Sequence, residues 1–212
     1  MHLILGGTFD PIHNGHLRMA VELRERLGVD RVALVPCHIP PHRQQPGTHS
    51  RDRLELLTLA IEGEPGLTVD DRELRREGAS FTAETLRQLR SELGEQESLA
   101  MVVGMDSFAS FDQWRDWRRI PELAHIIVVN RPGAELDPDS EPGQLLRQRR
   151  ATEASELQRQ PAGLCLALEL PLLDISATGI RERIRSGRSP RYLLPDPVWR
   201  LIQSRGLYRG DA

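Results

Sequence analysis

Residues 6–16 read Gly6-Gly7-Thr8-Phe9-Asp10-Pro11-Ile12-His13-Asn14-Gly15-His16. They follow a short apolar run and open a helical pattern, so the stretch reads as a strand-to-helix turn. The chemistry open to such a turn is phosphate binding. A helix N-terminus presents backbone N–H groups and partial positive charge, and a glycine pair lets the backbone approach a ligand closely. His13 and His16 are three apart and fall on one face of a first helical turn. Both imidazoles can donate to phosphate oxygens. The spacing is neither G-x-G-x-x-G nor a P-loop. Two other readings of these residues stay open. One is a plain βα turn with two incidental histidines. The other is a zinc site drawn from His13, His16, Cys37, His38 and His42, whose spacing matches no standard zinc pattern.

A second set lies far along the chain. Ser176, Thr178 and Arg181 surround the start of a helix that follows a strand. Two hydroxyls and a guanidinium at a helix N-terminus make another phosphate cradle; an ordinary serine N-cap is the alternative. Asp106 follows a strand end and Gly104, and reads either as a helix cap or as a ligand group. Trp114 and Trp117 sit among Asp112, Arg115, Asp116, Arg118 and Arg119, which favours an exposed or ligand-facing ring for at least one of them. Arg43 and Arg131 are loop arginines and, unaided, read as solvated charge.

Composition narrows the chemistry. All 28 basic side chains of the 212 residues are arginine. Without lysine there is no Schiff-base chemistry, no P-loop lysine and no kinase-type strand lysine. Any phosphate must be held by arginine, histidine and backbone N–H groups. The simplest cause of the bias is a genome rich in G and C, and most of these arginines read as surface charge. The net charge of −3 argues against broad nucleic-acid binding. Two cysteines make no disulfide framework, so both are expected to be reduced in a cytoplasmic setting. No apolar run approaches the roughly 20 residues of a membrane helix, and the first residues enter a strand-like run with no leader-peptide layout.

The elements that position these residues follow from periodicity. Strands are predicted at 2–5, 31–36, 67–69, 98–103, 124–129 and 164–170. Helices are predicted at 15–27, at 50–62 with Ser50 as N-cap, and from Thr82 to about Leu93. Residues 37–49 form a loop rich in Pro and His. Residues 131–143 are a polar, Pro-rich connection, and 144–160 a charged insert with little apolar face. Two helical stretches follow between Ser176 and Tyr208. Strands alternating with helices imply βαβ units and a mostly parallel sheet.

The first stretch resembles the T/H-x-G-H motif of the nucleotidyltransferase superfamily and, more narrowly, that of bacterial nicotinate-nucleotide adenylyltransferases. Four further stretches are similar to that family's motifs, in order along the chain. They are Pro36 to Arg43 (P-x-x-x-P-P-H-R), Ser80-Phe81-Thr82 with Thr85-Leu86, Gly104-Met105-Asp106-Ser107 with Phe111, Trp114 and Trp117, and Ile175 to Ile184. The resemblance implies an α/β, Rossmann-like open parallel sheet flanked by helices, with a small helical C-terminal part. The whole chain 1–212 then forms one domain, with a core over 1–174, the insert near 131–162 and a helical 175–212.

It also implies adenylyl transfer from ATP, with Mg²⁺, to nicotinate mononucleotide. On that reading Gly6, Gly7, Thr8, Phe9, His13 and His16 bind ATP, the two histidines at its phosphates, with His16, His13 and Arg181 catalytic. Ser176, Thr178 and Arg181 take the far phosphates, and Gly104 and Asp106 the adenosine ribose. Trp114 stacks on the pyridine ring and Thr82 lies at its carboxylate. Arg43 and Arg131 complete the substrate side. The partners are small molecules, with no nucleic acid, no membrane and no protein-held metal. Three rivals remain: phosphopantetheine adenylyltransferase, a preference for nicotinamide mononucleotide, and a nucleotide-binding regulator without turnover.

Overall fold

The computed structural model describes residues 1–39, 47–130 and 136–209. Its strands are β1 (His2–Gly7), β2 (Val32–Pro36), β3 (Leu67–Val69), β4 (Leu99–Gly104), β5 (His125–Asn130) and β6 (Cys165–Glu169). The longer helices are α1 (Asn14–Leu27), α2 (Ser50–Ala60) and α3 (Thr82–Leu93); the short α4 (Met105–Phe108) and α5 (Ile120–Leu123) follow. Then come α6 (Glu141–Gln148), α7 (Ala154–Leu157), α8 (Ala177–Arg185) and α9 (Asp196–Arg205).

The strands form one parallel sheet in the order β3-β2-β1-β4-β5-β6. The connection direction therefore reverses between β1 and β4, and a crevice opens beyond their carboxyl ends. Alternation along the strands splits the core in two. Leu3, Leu5, Leu34, Val102 and Ile127 pack on one face with α1, α2, α8 and α9. Ile4, Val35, Met101, Val103 and Val128 pack on the other with α3, α4 and α5. Both faces are covered, which is why the strands read as continuous apolar runs. Each fully buried leucine contributes about 1.5–3 kcal/mol relative to exposure. Among the described residues no helix is long and apolar enough to cross a membrane.

Three sequence expectations need correction. The 144–160 stretch does carry apolar contacts. Leu145 and Leu146 pack on the α3 face, while Ala151 and Leu157 are buried on the α1 face. The segment passes from one face of the sheet to the other around β6, so its apolar residues divide between two half-turns and no single stripe shows. Ser50 is not an N-cap: α2 begins at Ser50 and the cap position is His49, without a side-chain cap bond. The arginines left as surface charge include Arg53, which is 1% exposed, and Arg90, whose guanidinium donates to the carbonyls of Leu123, Pro161, Gly94 and Glu97. Helical spacing cannot separate such residues from solvated ones, because an arginine pattern looks the same on either face.

His125 shows how the sheet sets a titration. It is fully buried at the start of β5. Its Nδ1 accepts from the Leu164 N–H at 3.0 Å, so Nε2 carries the proton and donates to the Gln160 carbonyl at 2.9 Å. Burial pushes its pKa below 6.5, against the hydrogen bond to Gln160. Burial lowers His2 in the same way, opposed by Asp70. The unfolded chain therefore binds more protons than the folded one below about pH 6.5. Stability from these groups is complete above that value and is lost as pH falls toward the lowered folded pKa values. Urea midpoints are expected to drop between pH 7.5 and 5.5, and His125→Asn should flatten that slope even if it lowers stability at every pH. An unchanged slope in the variant would show that His125 does not carry the effect.

Candidate active site

A cleft of about 650 Å³ opens at the switch point between β1 and β4. Its wall begins at the end of β1. Gly6 faces open space, and a methyl group added there would meet nothing within 4 Å. Gly7 has a different task. A methyl group at position 7 would lie 2.8 Å from Cε1 and Cζ of Phe9. Phe9 is buried, with φ of +48°, a left-handed conformation rare for an aromatic residue. Its ring folds back over Gly7 and meets His16 edge-on at 5.1 Å. Both glycines line the cleft, but only at Gly6 does the space of an absent side chain stay open.

His13 occupies the N-cap position of α1 in extended conformation, and His16 lies in the first turn. The two rings stack, centroid to centroid, at 3.7 Å. Both line the cleft. The first turn of α1 holds no acidic residue, and its last turn holds Arg24 and Arg26. That distribution leaves the positive end of the dipole uncancelled at the histidines.

The loop that carries them is tied down from four other places. Arg53 donates to the Thr8 carbonyl at 2.5 Å. Arg181 donates to the Asp10 carbonyl at 2.6 Å. Tyr208 donates its hydroxyl to Asp10 Oδ1 at 2.7 Å. Asn14 donates its backbone N–H to Leu193 and its side-chain amide to Tyr192, both at 2.9 Å. Burial and the neighbouring Asp10 carboxylate raise the Tyr208 hydroxyl, which keeps its proton and donates. Asp10 itself is buried, its carboxylate engaged by Tyr208 and close to the Arg53 charge. The one carboxylate of the first motif is therefore a tie within the protein.

Across the cleft, α8 points its N-terminus at the same space. Ser176 caps it, its Oγ accepting from the Gly179 N–H at 3.1 Å. A hydroxyl that accepts still has a hydrogen to donate, so the cap and the ligand readings are compatible. Thr178 accepts from Arg181 at 3.1 Å, which leaves the guanidinium spanning the first motif and α8. Ser176, Thr178 and Arg181 all line the cleft.

At the end of β4, Gly104 takes the cap position of α4 and Asp106 sits in its first turn, so Asp106 is not the N-cap. A methyl group on Gly104 would lie 2.6 Å from Asp106 Oδ1, which shows the carboxylate turned back over the strand end. Trp114 is half-buried and packs at 5.2 Å on Phe111. Trp114 lines the cleft, as do Thr82 at the start of α3, Thr8 and Phe9. Trp117 instead meets Phe111 edge-on and carries Arg118 over its ring.

The structure thus brings together all the site residues drawn from the sequence except two. Arg43 and Arg131 lie outside the described residues, as does most of the Pro-Pro-His loop. Among the described residues no cluster of three His, Cys, Asp or Glu side chains forms. Sequence reasoning missed Arg53, Glu73, Tyr208 and the tie role of Asp10. Arg53, Glu73 and Tyr208 sit in no glycine-rich or hydroxyl-rich pattern, and the tie made by Asp10 depends on a residue 198 positions away, so no local signal marked them.

Comparisons with known proteins agree with this geometry. Residues 4–183 match the family model described as cytidylyltransferase-like. A Marinobacter nauticus protein named "Probable nicotinate-nucleotide adenylyltransferase" is 61% identical over 208 residues, covering 98% of this chain and 96% of that protein. A Chromohalobacter salexigens protein of the same name is 48% identical, covering 97% and 94%. The solved Plasmodium falciparum nicotinic acid mononucleotide adenylyltransferase complexed with NaAD has the same fold, with a TM-score of 0.72 over 97% of this chain and 96% of that one, at 17% identity. With such identities sustained over nearly its whole length, the chain belongs to the nicotinate-nucleotide adenylyltransferase family of nucleotidyltransferase enzymes.

Proposed function

We propose that the chain transfers the adenylyl group of ATP to nicotinate mononucleotide, giving nicotinate adenine dinucleotide and pyrophosphate. The observation that carries this is the pairing of two helix N-termini across one cleft. The stacked His13 and His16 stand at α1, with Ser176, Thr178 and Arg181 at α8.

A phosphate oxygen of the mononucleotide attacks the α-phosphorus of ATP. The new P–O bond forms as the bond to the β-phosphate breaks, and pyrophosphate leaves with that electron pair. The nucleophile is already ionised near neutral pH, since the second pKa of a phosphate monoester is about 6. No general base and no covalent enzyme intermediate are required. What remains is alignment and stabilisation of charge.

In this reading His16 donates to the α-phosphate in the transition state and His13 shares the triphosphate. Ser176, Thr178 and Arg181 hold the β- and γ-phosphates. Gly6, Gly7, Thr8 and Phe9 shape the wall beside the α-phosphate. The Asp106 carboxylate, turned over Gly104, accepts from ribose hydroxyls. The start of α3 with Thr82 takes the nicotinate carboxylate, and Trp114 stacks on the pyridine ring. Arg43 and Arg131 serve the mononucleotide phosphate and the departing pyrophosphate. Mg²⁺ enters with ATP as part of the substrate, held by phosphate oxygens and water. The reaction belongs to the cytoplasm, where ATP and the mononucleotides are found.

Two expectations follow. With ATP and Mg²⁺, kcat/KM should favour nicotinate over nicotinamide mononucleotide, with pyrophosphate released in step. Equal values would remove the role given to Thr82, and no release with either would overturn the activity. The two glycines should separate binding from folding. Gly6→Ala should leave the stability within about 0.5 kcal/mol of the parent and raise KM for ATP. Gly7→Ala should displace Phe9 and cost about 1–3 kcal/mol of stability. Unchanged ATP binding in the first variant would mean that ATP lies elsewhere in the cleft.

A further inference from the structure

Two buried charged residues belong to neither phosphate cradle, and one chain of hydrogen bonds joins them. Arg53, on α2, is 1% exposed. One arm of its fork reaches the Thr8 carbonyl at 2.5 Å, and the other the His38 carbonyl at 3.1 Å. His38 is held on its other side as well, its N–H donating to Ser80 Oγ at 3.0 Å. The same strip is closed by the Ser80 N–H donating to the Ile39 carbonyl at 3.0 Å. Ser80 passes its own hydroxyl to the Glu73 carboxylate. Glu73 is 8% exposed and also accepts from Thr85 Oγ1 at 2.6 Å. Thr85 in turn accepts from Arg76 at 2.5 Å. The chain runs from the loop that carries His13 and His16, through residues 38–39, to the turn that presents Thr82.

A methionine or leucine would fill the place of Arg53 without burying a charge, which is costly when the partners are neutral carbonyls. What the guanidinium supplies is geometry. A planar fork can hold two carbonyls from two loops in one fixed relation, and an ammonium group cannot. Glu73 does the same at the other end by accepting from two hydroxyls at once.

We propose that Arg53 and Glu73 are positioning residues that set the distance and angle between the ATP phosphate end and the pyridine end of the cleft. Arg53 acts through its bonds to the Thr8 and His38 carbonyls, its charge facing the nearby Asp10 carboxylate, and Glu73 acts through Ser80 and Thr85. The proposal rests on the adenylyl-transfer reading above, because it concerns alignment of the attacking phosphate with the α-phosphorus. A misplacement of about 1 Å is enough to lower turnover by about a hundredfold.

The test is a double-mutant cycle on the full chain, with Arg53→Lys, Glu73→Gln and the pair, assayed for pyrophosphate release from ATP and nicotinate mononucleotide. Arg53→Lys is expected to lower kcat by about 10–100-fold with KM for ATP changed far less. Glu73→Gln should mainly raise KM for the mononucleotide. The pair should lose less in kcat/KM than the product of the single losses, because either change breaks the same chain. Should Arg53→Lys melt below the assay temperature, Ser80→Ala breaks the chain at a half-buried hydroxyl and takes its place. Independent losses, or variants with parental kcat and KM, would overturn the relay while leaving the activity intact. No turnover by the parent chain would overturn both.

Discussion

Two arginine forks hold the peptide carbonyls of one loop, and the chemistry of the cleft depends on them. Arg53 from α2 grips Thr8, and Arg181 from α8 grips Asp10. Hydrogen bonds from charged donors contribute about 1.5–3 kcal/mol each, and here they act on a loop of only a few residues between β1 and α1. That loop ends at His13. Once its carbonyls are fixed, the histidine stack and the α1 N-terminus have a fixed position relative to α8. Adenylyl transfer asks for little else from the protein, since nucleophile and leaving group are both ionic and need only alignment and charge stabilisation.

The sheet supplies the frame for these ties. Reversal of connection direction between β1 and β4 opens the crevice, and the two-sided core fixes the strand ends that form its floor. The C-terminal helices are part of this frame. Ile180, Ile184, Val198 and Ile202 are buried in the same cluster as β1 and α1, which seats Arg181 and Tyr208 over the first motif. Beside the first motif, the arginine-only composition gains a physical meaning at two positions. At Arg53 and Arg181 a guanidinium bonds two acceptors at once, a geometry that lysine would not reproduce.

Much of the fold was legible because its signals are local. Strand runs ending at Gly6-Gly7 and Gly104, and helices such as Thr82–Leu93, follow from burial on both sheet faces and from helical periodicity. The phosphate-binding stretches were equally plain, since glycine, histidine and hydroxyl groups at a helix start are read over a few residues. What stayed hidden is long-range. Nothing in Ser50-Arg-Asp-Arg53 separates the buried guanidinium from its exposed neighbour Arg51. The Tyr208–Asp10 bond joins residues 198 positions apart. The space that a side chain at Gly7 would need is taken by the Phe9 ring above it, which only the fold reveals. The apolar residues of 144–160 are split between two faces of the sheet, which defeats a search for one stripe.

The role of His16 is the most exposed part of this mechanism, because it assigns transition-state charge to one imidazole. Single-turnover kinetics on His16→Ala, with ATP binding measured separately, tests it directly. A donor aimed at developing charge is worth roughly 3–4 kcal/mol, so the chemical step should slow by about 10²–10³. ATP affinity and melting temperature should stay close to the parent values. A chemical step at nearly the parental rate would contradict the assignment.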